Sequence, residues 1–191
     1  GGWAFETVIA EAAELLHAAP ANTESTEVVW IPETEVENLL LHPGFAETWP
    51  RIRTALRPLV VVLDAANIIG ARAEPGWWRD RAGATARLLA EVEELARVGL
   101  RREPEGFSPL AQWFPKITVV VEGAARHSAR PGGRVEVVEA AGCGDDAIVA
   151  VVRRARPWDQ VLVVTADRGL RERVTALGAW VTGPKWLLSQ L

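Results

Sequence analysis

Residues Leu59 to Gly70 read LVVVLDAANIIG, and this stretch decides the fold. Five apolar residues in succession, all Val or Leu, are too few for a free-standing helix and suit a strand covered on both faces. A carboxylate, Asp64, and an amide, Asn67, follow at once. Their expected place is the loop at the strand's carboxyl end, the edge where open α/β sheets bind ligands.

The same pattern recurs downstream. ITVVVEG (117–123), RVEVVEA (134–140), QVLVVT (160–165) and AWVT (179–182) read as further strands. Helices are expected between them. Residues Asp80 to Val98 place Thr85, Leu88, Leu89, Val92, Leu95 and Ala96 on one side, and AGCGDDAIVAVVRRA aligns Ile148, Val151, Val152 and Ala155. Another helix carries Leu170, Val174 and Leu177 and ends at Gly178; Pro184 opens a last one with Trp186, Leu187 and Leu188. Strands alternating with helices specify an α/β fold, three layers deep, with a mainly parallel sheet.

Residues 1–57 have a different composition and are read as an acidic, mainly helical N-terminal extension to a domain at 58–191. Residues 1–50 hold nine Glu and no Lys or Arg, which leaves residues 51–191 with 21 basic against 16 acidic residues, a net of +5. The period of Phe5, Val8, Ile9, Ala12, Leu15 and Leu16 predicts an amphipathic helix from Trp3 to Ala19, stopped by Pro20. A second helical candidate holds Val36, Leu39 and Leu40 and is broken by His42-Pro43-Gly44; a third runs roughly from Ala46 to Leu56. Two roles are open for the extension. Its acidic surface lies across the basic body and restrains it, or its apolar faces cover one side of the sheet or form a homodimer or protein-partner contact.

A single Cys143 excludes an internal disulfide and a thiolate metal site, favouring a reducing, cytoplasmic setting. No stretch approaches the length of a membrane span, and no membrane role is expected.

Parallel topology with right-handed crossovers brings the strands' carboxyl ends to one edge. Asp64, Glu122, Asp145, Asp146 and Asp167 all fall there. Like charges so gathered need a cation, and hard oxygen donors without Cys or His clusters suit Mg²⁺ or Mn²⁺. Each acid also has a plainer role. Asp80, Asp145 and Asp167 stand where a helix cap belongs, Glu122 at a strand end, and Asn67 where a turn is tolerated. Asp80 and Glu122 are therefore candidate outer ligands only. Asp64 and Asp167 following strands in matching fashion, with a doubled Asp between them, is the part of the pattern that capping does not explain.

DAANIIG (64–70), GDDAIV (144–149) and VVTADRGL (163–170), in this order on these elements, resemble the NYN domain of the PIN-like nuclease superfamily, especially its YacP-like branch. The resemblance covers about residues 58–190 and leaves the acidic head unmatched. It implies a PIN-like fold and hydrolysis of RNA phosphodiester bonds, with Mg²⁺ or Mn²⁺ held by Asp64, by Asp145 or Asp146, and by Asp167, and with Asn67 beside the first Asp. Thr165 takes the place of the family's small hydroxyl residue. Arg168 and Gly169 stand where the family often has a further acid, which leaves the number of ions open.

Arg168, at a helix start beside Asp167, is a candidate phosphate contact; pairing with Asp167 or Asp145 is the competing role. The segment ARAEPGWWRDR sets Trp77 and Trp78 among Arg72, Arg79 and Arg81, a composition suited to single-stranded RNA through base stacking and phosphate contacts. Packing of the Trp side chains onto the sheet is the plain alternative. Two other function classes fit less well. A nucleotide hydrolase would share the acidic edge, but the chain has no Gly-rich loop ending in Lys-Ser/Thr, no GxGxxG and no acid two residues after Asp64. A non-catalytic RNA-binding or regulatory module would have no need of four intact Asp.

Overall fold

The computed structural model describes residues 6–12, 14, 16–72, 77–101, 110–123 and 134–191; at Trp77 it describes the backbone alone. Two units divide the chain, Gly1–Leu56 and Arg57–Leu191.

In the larger unit, β1 (Leu59–Asp64), β2 (Lys116–Val121), β3 (Val135–Glu139), β4 (Gln160–Val164) and β5 (Trp180–Thr182) form one sheet in the order β3-β2-β1-β4-β5. Every pairing is parallel. Helices α2 (Ala65–Ala71), α3 (Arg81–Val98), α4 (Gly144–Arg154), α5 (Arg168–Thr175) and α6 (Pro184–Leu188) connect or follow the strands.

Side chains alternate across each strand, so the sheet feeds two cores. Val61 and Leu63 of β1, Ile117, Val119 and Val121 of β2 and Leu162 and Val164 of β4 pack with Ile68 of α2, Leu88 and Val92 of α3 and Leu187 of α6. Val62, Val120, Val161 and Val163 face the other way, onto Ile148 and Val152 of α4 and Leu170 and Val174 of α5. This is the expected three-layer α/β/α architecture. β1 lies at its centre, hydrogen-bonded on both sides, which accounts for its unbroken apolar run.

The order of the strands makes a switch point. The chain steps outward from β1 through β2 to β3, then returns to lay β4 on the opposite side of β1. Connections after β1 and β4 leave onto opposite faces, opening a crevice above their carboxyl ends, where ligands bind in such sheets.

One local expectation fails usefully. No loop follows β1: Asp64 closes the strand and caps α2, its Oδ1 accepting the Asn67 N–H at 3.0 Å, so Asn67 lies in a helical turn. Direct capping needs no connecting residues.

The smaller unit departs further from its sequence reading. Among the described residues from Glu6 to Pro20 none is helical. Val8 and Leu16 are exposed; most of the stability of an amphipathic helix comes from burying its apolar face, and these apolar residues are not buried. The stretch around Val36 is a 3₁₀ helix, Glu33–Asn38, and α1 spans Pro43–Ala55. Thus Pro43-Gly44 opens a helix rather than breaking one: Pro43 takes the first helical position, and His42 Nδ1 accepts the Gly44 N–H at 3.2 Å. Arg53 of α1 pairs with Glu33 and Glu37, at 2.6 and 3.3 Å.

Among the described residues no helix is long and apolar enough to cross a membrane.

Candidate functional site

Above the carboxyl ends of β1, β2 and β4, Asp64, Ala66, Asn67, Val120, Glu122, Gly144, Asp145, Ile148 and Asp167 line one cavity of about 250 Å³. Four carboxylates share it, contributed by β1, the end of β2 and the starts of α4 and α5.

Asp64 is the anchor. It is 9 % exposed, and both its oxygens are engaged: Oδ1 by the Asn67 N–H, Oδ2 by the Thr165 hydroxyl at 2.8 Å. Burial raises its pKa above the ordinary carboxylate value. The two hydrogen bonds oppose this, and the negative charges of Asp145 and Glu122 add to it.

Thr165 ties two acids together. Its oxygen donates to Asp64 and accepts the Asp167 N–H at 3.1 Å. The residue is fully buried, so its expected role in touching substrate is corrected to a bridge inside the protein. Asn67 works on the same loop: its Oδ1 accepts the Ala166 N–H at 2.9 Å, fastening the β4–α5 turn to α2 while the residue still lines the cavity. Asp167 caps α5, its Oδ1 accepting the Leu170 N–H at 2.8 Å, which leaves Oδ2 outside the cap.

The doubled Asp separates by helix geometry. Neighbouring positions on a helix point about 100° apart. Asp145 faces the cavity, whereas Asp146 turns to α5 and pairs with Arg173 at 2.5 Å. Asp146 is therefore corrected from a cavity acid to a surface tie between α4 and α5. Burial raises the Asp145 pKa, with Asp167, Glu122 and Asp146 adding and Arg173 opposing.

Other candidates fall outside the cavity. Asp80 caps α3 through the Gly83 N–H, at 2.9 Å, and does not line the cavity, which removes it as an outer ligand. Trp78, Arg79 and Arg81 are exposed residues near the start of α3, and the Trp77 side chain lies outside the described residues. Arg72 instead pairs with Glu91 of α3. Arg168 is almost wholly exposed and pairs with Glu172 at 3.3 Å, not with Asp167 or Asp145. Glu122 does line the cavity, and its Oε2 accepts the Gly144 N–H at 2.8 Å.

The donor set fits a hard divalent cation: oxygen ligands, two of them with raised pKa, with no positive side chain among the described residues that line the cavity. The fit is not preassembled. Among the described residues no three His, Cys, Asp or Glu side chains stand close enough to hold an ion as they are. Asp64 has both oxygens occupied by protein donors.

A solved structure of Rae1 (YacP) from Bacillus subtilis superposes with a TM-score of 0.50 over 68 % of this chain and 71 % of that one, at 18 % identity. The fold is Rae1-like. At this identity the Rae1 likeness concerns fold alone. A point mutant of the same Bacillus subtilis protein gives 0.48 at 20 % identity, over 68 % and 72 %. No family model matches the chain. Over 53 residues, 28 % of the chain, it is 55 % identical to the protein named "Putative 8-oxo-dGTP diphosphatase 3" in two strains of Mycobacterium tuberculosis. The match spans about a quarter of those relatives, 24 % of their length.

The crossing of α4 and α5 that pairs Asp146 with Arg173, and the bridge through Thr165, were not foreseen from sequence. Gly144, directly before the Asp pair, was the one available signal that something approaches the start of α4 closely.

Proposed function

We propose that residues 58–190 form an NYN-type nuclease domain that hydrolyses RNA phosphodiester bonds, single-stranded RNA above all, with Mg²⁺ or Mn²⁺ at the acidic cavity. The observation that carries this reading is the convergence of Asp64, Asp145 and Asp167, from three separate motifs, on one cavity at the switch point of a parallel sheet. The motif resemblance and the Rae1-like fold support it.

Asp64, Asp145 and Asp167 would hold the ion, after side-chain rotation draws their oxygens together. A cation held there would supply Lewis-acid chemistry for hydrolysis of a phosphodiester. The chain's own residues define the rest. Thr165 fixes the spacing of Asp64 and Asp167, Asn67 holds the turn that carries Asp167, and Arg168, exposed at the start of α5, would meet phosphate. Trp78 and the Arg residues beside it extend the RNA contact by stacking.

The 53-residue likeness to a protein named as a nucleotide diphosphatase favours a second reading, hydrolysis of an oxidised nucleoside triphosphate. Incubating the full chain in Mn²⁺ with labelled single-stranded RNA and, in parallel, with 8-oxo-dGTP separates the two. Shortened RNA with intact nucleotide is the expected result; nucleotide turnover with intact RNA would overturn the nuclease reading.

A further inference from the structure

Helix α4 starts differently from its neighbours. α2, α3 and α5 are each capped by the Asp that precedes them, Asp64, Asp80 and Asp167. At α4 the cap position belongs to Cys143, whose side chain makes no cap hydrogen bond. The first backbone N–H groups of a helix need acceptors, and an uncapped start frays. Here the acceptor comes from another element: Glu122, just past β2 and 22 residues upstream, takes the Gly144 N–H on its Oε2 at 2.8 Å. A carboxylate at this end also suits the helix dipole.

Gly144 makes the contact possible. A Cβ there would stand 2.7 Å from Glu122 Oε2. That oxygen ends a flexible side chain, so an added methyl group would push the carboxylate away and break the hydrogen bond. Asp145 is the next residue. Asp145 lies inside the helix, two residues past the cap position, and lines the cavity, so its placement follows the path of the first turn that Glu122 holds.

We infer that Glu122 is a positioning residue for Asp145, acting through the Gly144 N–H, and not a ligand of the cation. The inference rests on reading Asp145 as a metal-holding carboxylate. It predicts that an acceptor is needed at position 122 and a full charge is not. Gln supplies the same acceptor oxygen, whereas Ala supplies none.

The test uses the full chain and two readouts: hydrogen exchange of the Gly144 amide in metal-free protein by NMR, and Mn²⁺ binding followed by the electron paramagnetic resonance of the free ion. Glu122→Gln is expected to stay within about threefold of wild type in both. Glu122→Ala and Gly144→Ala are each expected to accelerate exchange of the backbone amide at position 144, relative to the intrinsic rate of the residue there, and to weaken Mn²⁺ binding by about tenfold, the scale of one hydrogen bond to a charged acceptor. Combining the two substitutions should add little, since both remove the same contact. Asp145→Asn should weaken Mn²⁺ binding with Gly144 exchange unchanged. Glu122→Gln binding Mn²⁺ as poorly as Glu122→Ala, with Gly144 still protected, would make Glu122 a ligand and overturn the inference. Unchanged Gly144 exchange in Glu122→Ala would also overturn it. Wild-type protein that binds no Mn²⁺ would instead overturn the reading of the cavity, and this inference with it. If Glu122→Ala does not fold, Gly144→Ala against Glu122→Gln gives the same decision.

Discussion

Replacing Thr165 by Val removes one hydroxyl and almost no volume, yet that hydroxyl holds two acids of the cavity. It donates to Asp64 Oδ2 at 2.8 Å and accepts the Asp167 N–H at 3.1 Å, in a residue with no exposed surface. A hydrogen bond to a charged group contributes about 1.5–3 kcal/mol, and a buried group left unpaired costs about 1–3 kcal/mol. Asp64 keeps its bond from Asn67, so a total loss of about 3 kcal/mol is expected at neutral pH. For a chain of this size that lowers the melting temperature by about 6–12 °C. The loss should depend on pH. Because the Thr165 hydroxyl favours the ionised form of Asp64, its removal raises the Asp64 pKa further. The variant is therefore penalised most where Asp64 is charged, and the gap to wild type narrows as pH falls through the raised Asp64 pKa. Urea melts of both proteins across that range measure it. A difference below about 1 kcal/mol at neutral pH, or one that does not change with pH, would refute the bridge.

Other outcomes follow from the same geometry. Asp145→Asn should abolish detectable Mn²⁺ binding in calorimetry while Asp146→Asn changes it by less than about threefold, since Asp146 makes only an exposed ion pair with Arg173. Asp64 and Asp145 have raised pKa, so the metal-free fold binds more protons than the unfolded chain between the ordinary carboxylate range and those raised values. Their contribution to stability falls as pH rises through that window. Metal binding, which needs the ionised forms, should weaken as pH falls through it, and titrations at several pH values read both signs. Asp80→Ala removes the α3 cap and should lower stability by about 1 kcal/mol in a urea melt, with Mn²⁺ affinity unaltered.

The sheet was legible in sequence because each central strand is a short β-branched run covered on both faces, and LVVVL and ITVVV have no other comfortable state. The acidic edge was legible for a topological reason: parallel strands put their carboxyl ends together, so Asp64, Glu122, Asp145 and Asp167 meet although tens of residues separate them. Three features were not. AANIIG holds too few residues to show a helical period, and the cap by Asp64 that starts α2 looks, in sequence, like any Asp after a strand. Whether Asp145 or Asp146 faces the cavity depends on the rotation of α4 about its axis, which packing of Ile148 and Val152 fixes. The expected helix from Trp3 to Ala19 had the period, but a period does not supply the surface that would bury it.

Three of the four cavity acids also serve the local backbone. Asp64 and Asp167 cap helices and Glu122 holds the start of α4, while Asp145 caps nothing. The proposed function needs Asp64, Asp145 and Asp167 together to hold a cation that works on RNA. The most direct measurement is cleavage of end-labelled single-stranded RNA by the full chain and by Asp64→Asn, in Mg²⁺, in Mn²⁺ and in chelator. Cleavage by wild type with either metal, lost in chelator and reduced by at least about a hundredfold in Asp64→Asn, is the predicted result, a loss of the size seen when one group that stabilises transition-state charge is removed. RNA left intact by wild type in both metals, or cut equally well by Asp64→Asn, would contradict it.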